Sequence, residues 1–216
     1  ATSSLGHEEL LGMTAEAEFI FPLKLTKRDK GYFETPFLTC SLFGMHSADQ
    51  SSPNSLTVPA LDYANFQVVA IRPSKESKHV YFKLTSSASP RHTVPELTSG
   101  MFLDTYTNKK WNLSVRIKPT LPVTDYTTGS NISSTYDVHF YGVNMESGIA
   151  ENSFHVSGTI EGHVGRNFLR SNKRMYVGAQ RQNFKGSLML YSDIAASSVR
   201  YWAAFLDEQD LNAHAK

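Results

Sequence analysis

Cysteine is nearly absent from this sequence, since Cys40 is the single one in 216 residues. The chain can therefore form neither an internal disulfide nor a cysteine-based metal cluster. A fold without disulfides is compatible with assembly in a reducing cytoplasm, although it does not exclude later export. We predict that Cys40 is a buried and unpaired thiol on a strand, packed beside Leu38 and Leu42 as a small hydrophobic residue.

Long apolar runs and runs of like charge are also missing. No stretch approaches the roughly 18 consecutive apolar residues that a membrane-spanning helix needs, and the first residues, ATSSLGHEELLG, lack the basic-then-apolar order of a signal peptide. The chain has 21 basic and 20 acidic residues, a formal net charge of +1. Without a net field or a block of like charges, we expect neither nucleic acid binding nor membrane insertion.

The sequence does contain enough apolar residues for one folded core. Hydrophobic residues make up 40% of the chain and charged residues 19%, with 13 Phe and 10 Tyr. This composition is too apolar for a disordered chain, and the length suits a single all-β domain. We expect one domain over residues 1–216. Because the chain begins with Ala1 in place of methionine, we expect it to be part of a larger protein or assembly.

Apolar and polar residues alternate along most of the chain, which is the pattern of half-buried strands. In the clearest run, residues 111–118, Trp111 and Val115 lie on one face of a strand while Ser114 and Arg116 lie on the other. One apolar and one polar face are typical of antiparallel sheets. We therefore predict an all-β, two-sheet antiparallel sandwich. The residues predicted to point inward are Trp111, Leu113, Val115, Phe140, Val156, Val177 and Leu188.

Other segments complete the predicted architecture. Similar alternation marks residues 79–84, 136–141 and 154–160, and further strands are predicted at 18–25, 36–45, 65–71, 101–106, 174–179 and 185–191. Residues 47–54 and 124–134 are rich in Ser, Asn, Asp, Gly and Pro, as exposed loops are. The one predicted helix is short and C-terminal, at 207–215, where Asp207 can cap the first turn.

The order of several motifs resembles laminin G-like and pentraxin-like domains of the concanavalin A-like jelly-roll superfamily. KKWNLSVRIKP resembles the strand that begins with Trp in these domains. It is followed in order by YDVHFYGVN, FHVSGTI, RMYVGAQ, FKGSL and VRYWAAFLDEQDLNAHA. The resemblance covers about the second half of the chain and implies two antiparallel sheets of about six or seven strands each. Trp111 and Trp202 are expected to be core residues and not to stack on sugar, because an alternating apolar face can bury such a ring.

A narrower resemblance points to structural proteins of bacteriophages. Extracellular laminin G modules commonly carry a disulfide near the C-terminus, and this chain has no cysteine beyond Cys40. VGAQRQNFKGSL followed by SSVRYW is most similar to the disulfide-free modules of phage virions. This resemblance implies a location on a virion surface or outside the cell after assembly in a reducing cytoplasm. The implied partners are copies of the chain itself, other virion proteins, or a glycan or protein of the host surface.

Motifs for catalysis and metal binding are not found. A retaining glycosidase needs two carboxylates about 5–5.5 Å apart, and the Glu-x-Asp-x-x-Glu pattern of β-glucan-cleaving relatives is missing. No Gly-x-Ser-x-Gly elbow or His-Glu-x-x-His helix occurs. Possible oxygen ligands for calcium are scattered along the chain, which favours solvated surface acids over a metal site. We therefore expect a non-enzyme without cofactor. The scattered carboxylates are Asp104, Asp125, Asp137 and Asp193.

The candidate ligand-binding residues are Arg116, Asp137, His139 and Tyr141. They lie on the polar faces of the two most clearly patterned strands, and adjacent strands would bring them into one patch. An ordinary solvated sheet face and a site on loop 124–134 stay open as alternatives, and His139 and His155 are expected to be merely exposed. The predicted function is a non-catalytic binding or structural module that contributes to glycan or host-surface adhesion. The alternatives are a purely structural packing domain and a glycoside hydrolase or lyase with an unrecognised site.

Overall fold

A computed structural model describes residues 12–23, 37–47, 66–86, 94–121, 134–170, 173–181 and 187–216. These residues contain twelve strands and two helices. The strands are β1 (Met13–Phe21), β2 (Thr39–Ser47), β3 (Phe66–Ile71), β4 (Val80–Thr85), β5 (Leu97–Phe102), β6 (Lys109–Pro119), β7 (Thr135–Glu146), β8 (Ile149–Glu161), β9 (Lys173–Val177), β10 (Gln180–Arg181), β11 (Leu188–Leu190) and β12 (Ala195–Trp202). The helices are α1 (Gly162–Arg170) and α2 (Glu208–His214).

The strands form two stacked antiparallel sheets. Sheet 1 has the order β12-β1-β6-β7-β8, sheet 2 has the order β5-β4-β3-β2-β9, and β10 pairs with β11 separately. The predicted two-sheet antiparallel jelly-roll sandwich with a short C-terminal helix is confirmed. Over the described residues each main sheet has five strands, fewer than the six or seven that the resemblance implied.

The core lies between the two sheets, where the predicted apolar faces meet. Trp111, Leu113, Val115 and Phe140 are fully buried, as predicted, and the half-buried Val156 and Val177 pack against the same cluster. The prediction for Leu188 is wrong, because it lies half-buried on β11 in the separate two-stranded sheet. Alternation marks a strand with one apolar side, but it does not specify which sheet the strand joins.

Helices are placed partly as predicted. Helix α2 begins after Asp207, whose Oδ1 accepts a hydrogen bond from the backbone N–H of Asp210 at 2.9 Å. Helix α1 was not predicted, since its sequence GHVGRNFLR has two glycines and no acidic residue in its first turn. Gly165 is required by packing, because a Cβ atom there would lie 2.4 Å from the ring of Tyr136. No helix in the described ranges is long and apolar enough to cross a membrane.

Several strands begin or end at residues other than those predicted. Strand β1 begins at Met13 and not at residue 18, and β5 ends at Phe102 because the following residues turn toward β6. The predicted loops 47–54 and 124–134 lie outside the described residues apart from Ser47 and Ser134. Asp125 also lies outside them.

Cys40 is buried on β2 and forms no disulfide, as predicted. Leu42 beside it is fully buried, whereas Leu38 is 46% exposed and does not pack over the thiol as expected. The thiol instead accepts a hydrogen bond from the backbone N–H of Asp193, with 3.4 Å between nitrogen and sulfur. Burial, reinforced by the nearby carboxylate of Asp193, raises the pKa of the Cys40 thiol. The reactive thiolate is therefore disfavoured.

Candidate functional site

The predicted site residues come together on the outer face of sheet 1. Strands β6 and β7 are neighbours, with Arg116 directly opposite His139 and Lys118 opposite Asp137. Tyr141 follows on the same face of β7, because residues two apart on a strand point to the same side. The alternation therefore predicted correctly which side chains share this face.

The C-terminal segment, residues 203–216, lies across much of this face, which was not predicted. The hydroxyl of Thr14 donates to the carbonyl oxygen of Ala204 at 2.8 Å and accepts from the N–H of Leu206 at 2.9 Å. Nη1 of Arg116 donates to the carbonyl oxygen of Leu206 at 2.9 Å. These contacts hold the segment before α2 against β1 and β6.

Helix α2 covers the apolar and aromatic part of the same face. Leu211 is fully buried and packs in one cluster with Tyr141 and Val143. The Tyr141 hydroxyl donates to Oδ1 of Asn212 at 2.7 Å, and burial raises the pKa of Tyr141. The expectation that Arg116 and Tyr141 lie on a solvated surface is wrong. They do lie on the polar face of the sheet, but the C-terminal segment, which is distant in sequence, covers that face.

Glu16 is a second anchor of the C-terminal segment. Its side chain is fully buried, and its Oε1 lies 2.8 Å from Nδ1 of His214, 3.1 Å from Nε1 of Trp202 and 3.3 Å from Nη1 of Arg200. The rings of Trp202 and His214 are stacked with centroids 5.4 Å apart. Trp202 is therefore a partly exposed residue of the outer face, and the prediction that it lies in the core is wrong.

The C-terminal segment leaves part of the outer face accessible, and we call this part the open strip: Lys118, Asp137, His139 and His155. These residues are half-buried or exposed. Nδ1 of His139 and Nε2 of His155 are 2.7 Å apart, a hydrogen bond between adjacent strands. Nδ1 of His155 lies 2.8 Å from Oε1 of Glu208, which ties the strip to the start of α2.

Sequence reasoning missed the pairing of His139 and His155, which were expected to be merely exposed. The turn that joins their strands determines only the register of the residues next to it. Ser147 and Gly148 both have positive φ, 52° and 81°, and Ser-Gly at the centre of a two-residue hairpin turn determines the register of its strands. A β-bulge between Asn144 and Met145 then shifts the pairing by one residue, so that Tyr141 lies opposite His155. A count from the turn alone would place Phe140 there, so the bulge that brings the two histidines to one face could not be predicted from the turn.

The electrostatic surroundings keep His139 neutral. Partial burial, together with the positive charges of Arg116 and Lys118 and the neighbouring His155, lowers the pKa of His139 to about 4. The carboxylate of Asp137 acts in the opposite direction, and its Oδ1 accepts a hydrogen bond from the Thr120 hydroxyl at 2.8 Å.

This shift predicts a pH dependence of stability. The unfolded chain protonates His139 near pH 6.5 and the folded chain near pH 4, so its contribution is present above pH 6.5 and is lost as the pH falls toward 4. Because the ring is partly exposed, we expect a loss on the order of 1 kcal/mol over this window. Urea unfolding at several pH values should show a flatter profile for His139→Gln than for the wild type. The control His163→Gln should keep the wild-type slope, and equal slopes in all three proteins would contradict the assignment.

Metal binding finds no support in this region. No group of three or more His, Cys, Asp or Glu side chains within the described residues could hold a metal ion. Of the four scattered carboxylates, Asp193 is paired with Arg72 and Asp137 is bonded to Thr120. Asp104 lies exposed in the turn before β6.

Comparison with known proteins finds two solved structures that are similar to this chain. No family model and no curated protein matches the chain. An alginate lyase from Pseudomonas aeruginosa is 9% identical with a TM-score of 0.44, and the match covers 91% of this chain and 66% of the lyase, slightly less than two thirds of its length. The CBM40 of the Ruminococcus gnavus IT-sialidase, solved with α2,3-sialyllactose, is 9% identical with a TM-score of 0.42. This match covers 96% of this chain and 84% of the CBM40 chain.

The class of fold is a jelly-roll sandwich, defined by the two five-stranded antiparallel sheets of the described residues. At 9% identity and TM-scores below 0.5, neither likeness indicates a role for this chain. The function of the chain has to be argued from its own side chains.

Proposed function

We propose that this chain is a non-catalytic glycan-binding module whose ligand contacts the open strip. The observation that carries the proposal is the mixture of side chains there. Lys118 donates hydrogen bonds and Asp137 accepts them, while His139 and His155, whose facing nitrogens bond each other and Glu208, contribute aromatic ring surface. A sugar hydroxyl both donates and accepts, so a surface with both kinds of partner suits it.

The open strip is also rigid, which favours binding. Its residues stand on three consecutive strands of one sheet, β6, β7 and β8. The His139–His155 hydrogen bond and the contact of His155 with Glu208 limit the movement of both rings. Groups held in place before binding lose less conformational entropy when a ligand arrives.

A binding role is better supported than the hydrolase or lyase alternative. Each carboxylate that borders the strip is already engaged, Asp137 by Thr120 and Glu208 by His155. A glycosidase requires one carboxylic acid and one carboxylate aimed at the scissile bond. Carboxylates bonded to neighbouring side chains suit recognition of hydroxyl groups instead.

The resemblance to bacteriophage structural proteins supports a finer proposal. In it, the domain of residues 1–216 is displayed on a virion surface after assembly in a reducing cytoplasm, and the ligand is a glycan or protein of the host surface. Its neighbours are copies of itself or other virion proteins. Display of many copies would convert weak contacts at each open strip into strong attachment.

A purely structural packing role is the second candidate, and exposed apolar side chains on β12 favour it. Val199 is 43% exposed and Tyr201 is 50% exposed, although both lie opposite the small inner-face residues Ala17 and Ala15 of β1. Apolar surface at this edge of sheet 1 would suit contact with a neighbouring subunit.

The test is a glycan array probed with the wild-type chain, displayed in several copies, and with two variants. We expect Lys118→Met to weaken binding about tenfold, the effect of losing one hydrogen bond to a charged partner. His155→Gln should also weaken it, because the contacts that hold the two rings in place are lost. Two matched controls should bind as the wild type does. One is Lys83→Met on sheet 2. The other is His163→Gln, since His163 contacts Glu161 as His155 contacts Glu208.

Arg116 and Tyr141 are not suitable for this test, because they are buried and their replacement would disturb folding. Failure of the multivalent wild-type chain to bind any glycan would contradict the proposal. Concentration-dependent assembly of that chain in sedimentation experiments would then support the packing role.

A further inference from the structure

Two positive charges, on Arg116 and on Lys118 of the open strip, have no anionic group within hydrogen-bonding distance among the described residues. The side chain of Arg116 is only 2% exposed, and its Nε and Nη2 have no hydrogen-bond partner among the described residues. The carboxylate oxygen Oε1 of Glu208 lies 3.8 Å from Nη2, beyond hydrogen-bonding distance. Lys118, two residues further along the same face of β6, forms no salt bridge within the described part of the chain.

One aromatic ring lies against both cations. The guanidinium carbon of Arg116 is 4.9 Å from the ring centroid of Phe205, and Nζ of Lys118 is 4.5 Å from it. The face of an aromatic ring attracts cations, so Phe205 takes the position that an anion would otherwise favour. Burial of a guanidinium with unpaired N–H groups costs free energy of folding. The unpaired Nε and Nη2 of Arg116, next to the second cation Lys118, therefore point to a missing anionic ligand.

We propose that Arg116 and Lys118 form an anion site closed by Phe205, and that its ligand is the carboxylate or sulfate group of an acidic sugar. The sugar part of this inference rests on the proposed function, whereas the anion site does not. Phe205 is half-buried in the segment that precedes α2, so rotation of its side chain exposes both cations without displacing the helix.

The chemistry of the two cations suits this ligand. A guanidinium offers N–H groups in a planar fork that matches the two oxygens of a carboxylate, and an ammonium adds a point charge beside it. An anion that displaces the ring exchanges two cation–π contacts for charge-assisted hydrogen bonds, which are stronger. Negative charge near the site comes from Asp137, Glu208 and Asp207, and it repels an incoming anion. A compact anionic group is therefore favoured over a large polyanion.

The test is an NMR titration of the folded chain with sodium sulfate, sodium glucuronate and uncharged glucose, at constant ionic strength. We expect sulfate and glucuronate to shift the resonances of β6 and residues 203–207, and glucose to bind at least tenfold more weakly than glucuronate. Lys118→Met should weaken both anions about tenfold, whereas Lys83→Met should leave them unchanged. Phe205→Leu, which keeps an apolar side chain but removes the ring, should tighten them several-fold.

The outcomes separate the anion site from the glycan proposal. Equal affinity for glucose and glucuronate would overturn the anion site and leave glycan binding intact. Equal effects of Lys118→Met and Lys83→Met on sulfate binding would also overturn the anion site. Sulfate binding without binding of either sugar would support the anion site and count against the glycan proposal. If none of the three compounds binds the wild type or a folded Phe205→Leu variant, the anion site is overturned.

Discussion

Replacement of Asp193 by alanine is expected to lower the free energy of unfolding by about 3–5 kcal/mol, the usual cost of leaving one member of a buried ion pair without its partner. Asp193 and Arg72 form a salt bridge in which both side chains are at most 5% exposed. The Tyr106 hydroxyl donates to the same carboxylate at 2.7 Å, and the guanidinium carbon of Arg72 lies 3.4 Å from the Tyr106 ring centroid. Without the carboxylate, a buried guanidinium and a buried phenol both lose their acceptor.

The measurement is urea unfolding of the single variant beside a matched double variant. Arg72→Met with Asp193→Leu removes both charges and keeps apolar volume, so we expect it to be clearly more stable than Asp193→Ala. Burial also raises the pKa of Tyr106, so this phenol stays protonated and donates throughout the usual pH range. A loss below about 1 kcal/mol in Asp193→Ala would show that water replaces the lost acceptor, contrary to the buried geometry.

Leu211→Ala is expected to cost about 2–4 kcal/mol, because the loss of a fully buried leucine side chain leaves a cavity in addition to the lost transfer free energy. Leu211 is the buried residue of α2, and it packs with Tyr141 and Val143 of sheet 1. Loosening of the helix should also disturb the stacking of Trp202 on His214. The fluorescence of Trp202 should therefore change at denaturant concentrations below the main transition.

Gln209→Ala is the matched control for this experiment, since Gln209 lies on the exposed side of the same helix. Its stability should stay within about 0.5 kcal/mol of the wild type. If Leu211→Ala unfolds with the same midpoint as Gln209→Ala, the C-terminal segment contributes little to the fold. The polar face beneath it would then be accessible in solution, contrary to the burial of Arg116 and Glu16.

Local sequence patterns predicted part of the candidate site but not all of it. The alternation around Trp111 and Phe140 correctly assigned each side chain to one of two faces, because successive residues of any strand point to opposite sides. The Ser147–Gly148 turn gave only the register next to it, because the β-bulge between Asn144 and Met145 shifts the pairing that brings His139 beside His155. The position of the C-terminal segment could not be predicted in this way, since Thr14 and Leu206 are 192 residues apart in sequence.

The sequence by itself determined the fold class, the inner faces of the central strands, the burial of Cys40 and the capped helix after Asp207. Each of these follows from side-chain periodicity or from a contact within a few residues. The tertiary structure alone decided that Arg116 and Tyr141 are covered, that Arg72 meets Asp193, and that Leu188 leaves the main core. The physical reason is that a polar strand face has the same sequence pattern whether water or a distant segment of the chain covers it.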